Sequence, residues 1–107
     1  MTEQELLQKA DAFIDANINQ IVQDIKTIVD IPSVKSAPQP GAPFGTEIRR
    51  ALTAALGIAE RMGFHTVNCD DYLGYAELEG ERSEFIGTIA HLDVVPAGNG
   101  WHTDPYD

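Results

Sequence analysis

Apolar residues recur at Leu6, Leu7, Ala10, Phe13, Ile14, Ile18, Ile21, Val22, Ile25, Ile28 and Val29. Steps of three and four put them on one side of a helix, so this stretch predicts one long amphipathic helix with its apolar stripe in the core. Thr2 and Glu5 have the spacing of a capping box at its start. Pro32 ends it, because the residue before a proline avoids the helical region. Residues 33–45 carry three prolines and two glycines and read as a loop. Thr46 is predicted to cap a second helix that buries Ile48, Ala51, Leu52, Ala55, Ile58, Ala59 and Met62. Gly63 falls where a C-terminal cap glycine is expected.

The periodicity then changes. Phe64 to Cys69 reads as a short strand, Asp70 and Asp71 as a turn, and Tyr72 to Glu79 as a second strand with partial alternation. After a turn over Gly80 to Ser83, Phe85 to Ala90 is an almost unbroken apolar run. That pattern belongs to a strand covered on both faces. The predicted order is two helices then three strands, an α/β arrangement. A strand buried on both faces needs layers on both sides, so the pattern looks like the beginning of a larger α/β domain.

Composition narrows the partners. Seventeen acids against seven bases give a net charge of −10 over 107 residues. An acidic surface repels phosphate backbones, which argues against nucleic acid. The acids are dispersed, as on a solvated surface. Cys69 is the single cysteine, so no disulfide can form within the chain, which fits a reducing cytoplasm. The first residues lack the basic and apolar regions of a signal peptide, and the longest apolar runs are too short to span a membrane. The polar face of the first helix is acidic, unlike that of a membrane-surface helix.

The candidate chemistry lies at the end of the apolar run. His91 and Asp93, two residues apart, project to the same side of an extended backbone. Beyond the carboxyl end of a strand is where α/β folds bind ligands. One ring nitrogen of His91 can take a metal, and Asp93 can fix the tautomer or shape the field around the ion. Spacing alone leaves His91 open between a structural histidine and a ligand. Trp101 and Asp104-Pro105 read as loop-packing and turn residues, and Gly98 to Gly100 as a turn. His65, Cys69 and His102 have no recognisable metal-site spacing.

The segment from His91-Leu-Asp-Val-Val-Pro96 through Gly98-Asn-Gly-Trp101 to Asp104-Pro-Tyr106 resembles the first metal-site motif of the aminoacylase/carboxypeptidase-type zinc peptidases. Ile31-Pro-Ser-Val34, Ala42-Pro-Phe-Gly45, Ile58 to Phe64 and Gly74 to Leu78 are similar to its PepV-like dipeptidase branch. One residue departs from the pattern: Ala90 stands where the family has glycine. The resemblance implies a three-layer α/β/α zinc-peptidase catalytic domain, of which residues 1–107 are an N-terminal portion ending after that motif. It implies a dipeptidase with two divalent metal ions, zinc foremost, with manganese or cobalt as alternatives. By position, His91 corresponds to a ligand of one metal and Asp93 to the catalytic acid beside it. The remaining ligands and the general base would lie downstream. The substrate implied is a dipeptide or small peptide, the setting cytoplasmic. The 107 residues alone are expected to be metal-free and inactive. The alternative is a non-catalytic module acting through self-association or protein binding at an uncovered apolar strand.

Overall fold

A computed structural model describes residues 1–107. The elements are α1 (Glu3–Val29), α2 (Thr46–Arg61), β1 (His65–Cys69) and β2 (Leu73–Glu77). The α/β class and the order helix, helix, strand, strand agree with the sequence pattern.

The predicted capping box opens α1. Thr2 Oγ1 accepts from the Glu5 amide at 3.1 Å and Glu5 Oε2 accepts from the Thr2 amide at 3.0 Å. Caps of this kind are worth about 1 kcal/mol. The expectation that the α1 stripe is core is corrected: no α1 residue is buried. Asn17, Ile21, Asp24 and Ile28 are half-covered, and an Asp24–Arg61 ion pair joins α1 to α2. Ile18, Val22 and Ile25 lie around the cylinder from that strip and are exposed, as is Ile14 one turn before it. The stripe is wider than one neighbouring helix can cover. At the end of α1, Lys26 bonds Asp30 at 2.9 Å and Asp107 at 3.0 Å. Those bonds, Asp30's first, raise the Lys26 pKa above its ordinary 10.5.

The α2 cap also differs from expectation. Thr46 is the first helical residue, and Gly45 is the cap, with no side-chain cap bond. The backbone there has φ 102 and ψ 160, a region essentially open only to glycine. Gly63 does close the helix as expected, at φ 95. Its amide bonds Glu60 O at 3.0 Å and the Phe64 amide bonds Ala59 O at 3.1 Å, a Schellman pair. Of the predicted α2 face, Ala51 and Leu52 are buried, Ile48, Ala55, Ile58 and Ala59 are partly covered, and Met62 is exposed.

β1 and β2 form an antiparallel pair with His65 opposite Glu77 and Cys69 opposite Leu73. Asp70 and Asp71 turn the chain at φ 55 and 63. Asn68 supports them, accepting from the Asp71 amide at 2.8 Å and donating to its carboxylate at 2.9 Å. Local bonds of this kind let Asp occupy the left-handed region. α2 packs on the hairpin through Leu52 and Leu56, which approach Gly74.

The third strand is the main correction. The sheet has two strands. Phe85, Ile86 and Ile89 lie outside it at 89%, 98% and 102% exposure. A two-faced apolar run gains its stability from layers above and below. One helix layer over a hairpin does not provide them. The core is correspondingly small: Ile31, Ala42, Ala51 and Leu52 with the buried polar Ser33. It lies where the loop after α1 meets the start of α2.

Candidate metal-ligand pair and its cleft

Without the third strand, His91 and Asp93 are not delivered by a sheet. They sit on a segment bonded to the loop after α1. Ser33, 2% exposed, donates from Oγ to Leu92 O at 2.8 Å, and Ser33 O accepts from the Val94 amide at 3.0 Å. These two bonds flank Asp93.

His91 turns back on its neighbour. Its Nδ1 is 2.9 Å from the Asp93 carbonyl oxygen and 3.3 Å from Asp93 Oδ1. Both partners are acceptors, so in the neutral ring this nitrogen carries the proton. That assignment follows from the bonding and leaves the Nε2 lone pair free. The two side chains are 83% and 62% exposed. A free Nε2 on an imidazole held by a carbonyl and a carboxylate is the usual condition of a histidine ligand. The expected closeness of His91 and Asp93 is therefore present, and their common cleft measures about 420 Å³. Phe44, Ile48, Leu52 and Tyr72 give it an apolar side, and Lys35 adds a positive charge. Phe44 and Tyr72 meet edge to face at 5.5 Å between ring centres.

The pair is compatible with one metal position but does not complete it. Zinc takes about three or four protein donors. No group of three or more His, Cys, Asp or Glu side chains in the chain is arranged to hold an ion. His65, Cys69 and His102 form no such group either. The loop after the pair carries local bonds of its own. Trp101 Nε1 donates to Ala97 O at 2.8 Å, and Asp104 Oδ1 accepts from the Tyr106 amide at 2.9 Å. Sequence reasoning missed the role of Ser33. The signal was the residue itself within Ile31-Pro-Ser-Val34, but the partner of its hydroxyl lies 59 residues away.

The chain resembles bacterial proteins with dipeptidase names. It is 39% identical over 88 residues to a Bacillus subtilis protein named "Putative dipeptidase YtjP", which covers 80% of this chain and 19% of that protein. A Staphylococcus haemolyticus protein of the same designation is 39% identical over 90 residues, covering 82% of this chain and 19% of its own length. A Staphylococcus aureus counterpart is 37% identical over 91 residues, covering 83% and 19%. The chain thus spans about a fifth of the length of these relatives. No family model matches it. No helix is long and apolar enough to cross a membrane.

Proposed function

We infer that these residues are the N-terminal portion of the catalytic domain of a metal-dependent dipeptidase, and that they contribute one ligand, His91, and its supporting acid, Asp93. The observation that carries the reading is the His91–Asp93 contact, with Nδ1 engaged and Nε2 free. The dipeptidase names of the relatives and the motif around His91 support it from the sequence side.

Within this reading each residue has a defined task. His91, through its free Nε2, would hold the ion. Asp93 accepts the hydrogen bond from Nδ1–H, which holds the tautomer. The Phe44–Tyr72 side gives the cleft an apolar wall beside the pair. Zinc in such a centre polarises a carbonyl and lowers the pKa of a coordinated water, manganese and cobalt being the alternatives. The general base and further ligands would come from residues outside these 107.

The test uses the whole product of the gene that encodes these residues. It should hydrolyse dipeptides, lose activity to a chelator and regain it with zinc, manganese or cobalt. Asp93→Asn should lower activity about 10- to 100-fold. A gene product that cleaves no dipeptide, or works equally well with its metal removed, would defeat the reading.

A second reading has one specific observation in its favour. The 85–90 segment is apolar, exposed and outside the sheet, and an unpaired strand can pair with its own copy. In this reading the 107 residues act as a non-catalytic module that self-associates.

A further inference from the structure

Ser33 clamps the backbone on both sides of Asp93, and we propose that it is the positioning residue that sets the His91 tautomer. The bearing of this on hydrolysis rests on the metal-ligand reading above.

The geometry is that of a parallel β-bridge with one part exchanged. In such a bridge a residue accepts from the amide after its partner and donates its own amide to the carbonyl before it. Ser33 accepts from the Val94 amide at 3.0 Å, but its own amide is used on Ile31 O at 2.8 Å. Its hydroxyl takes the amide's place and donates to Leu92 O at 2.8 Å. Both peptide planes around Asp93 are thereby held. A trans peptide points its N–H and C=O in opposite directions. With the Val94 N–H turned toward Ser33, the Asp93 carbonyl must point away, toward His91 Nδ1 at 2.9 Å. The Asp93 carboxylate joins it at 3.3 Å. Ser33 thus acts on the imidazole through Asp93 without touching it.

Burial explains why serine suits the position. At 2% exposure the Ser33 side chain has no water to bond, and the Leu92 carbonyl is its partner. Alanine removes the donor that holds the Leu92–Asp93 peptide, and with it the aim of the Asp93 carboxylate at Nδ1, while the backbone bond from the Val94 amide to the residue 33 carbonyl remains. Threonine keeps the hydroxyl.

The experiment is nitrogen-15 NMR of the His91 ring in the full chain, with the ring neutral. Wild type and Ser33→Thr should hold the Nδ1–H tautomer. Ser33→Ala should lower the Nδ1–H to Nε2–H ratio by about 5-fold, the loss of roughly one hydrogen bond. Leu56→Ala loosens the packing of α2 on the hairpin away from Ser33, and should leave the ratio unchanged. An unchanged ratio in Ser33→Ala, or an equal fall in Leu56→Ala, overturns the proposal. If Ser33→Ala does not fold, Ser33→Cys supplies a weaker donor of similar shape; a smaller shift in the same direction supports the proposal and no shift overturns it. The tautomer is read without metal or substrate, so an absence of hydrolysis would defeat the dipeptidase reading and leave this one intact.

Discussion

Gly45 shows how tightly one residue can be specified. A Cβ added there would lie 1.9 Å from Ser36 Oγ and 3.0 Å from Ser36 Cβ, and φ 102 already excludes most side chains. Gly45→Ala should therefore destabilise the chain by about 1–3 kcal/mol, read as a lower urea midpoint. A midpoint equal to wild type would mean that the loop relaxes freely. The sequence marked Thr46 as the cap because hydroxyl residues lead cap statistics, whereas a steric demand one residue earlier decides the matter. His91 and Asp93 were legible for a different reason. Two residues of extended chain bring their side chains together whatever surrounds them. Ser33 was not, because its partners come from the far end of the chain and no local pattern encodes a contact across 59 positions.

Among the elements, those stabilised locally were the readable ones. α1 has its capping box, α2 its Schellman glycine, and the hairpin its Asn68–Asp71 turn. Each rests on bonds among near neighbours, so its signal is in the local sequence. The burial of α1 and the pairing of 85–90 depend on material packed from elsewhere, and there the pattern and the structure part. The apolar run still has a consequence. Phe85, Ile86 and Ile89 are almost wholly exposed beside an unpaired backbone, and such strands associate. Sedimentation velocity should detect self-association of the 107-residue chain rising with concentration. Ile86→Lys combined with Ile89→Lys should return it to monomer. A wild-type chain that stays monomeric at high concentration would contradict this.

At the scale of the whole molecule, a small core carries a large exposed apolar surface. The cleft holds one imidazole with a free nitrogen, one carboxylate beside it and an apolar side. The relatives are about five times as long as the region they share with this chain. We propose that their remaining length has its counterpart here, covering the 85–90 segment and the open face of α1 and adding the missing donors. The central claim is that His91 is a metal ligand. Its most direct test is the metal content of the purified whole gene product, wild type against His91→Ala, after equilibration with zinc and removal of the excess. The account predicts two ions per wild-type chain and the loss of one in the variant, with a fall in dipeptide hydrolysis of about 100-fold or more. An unchanged metal content in a folded His91→Ala protein would contradict it.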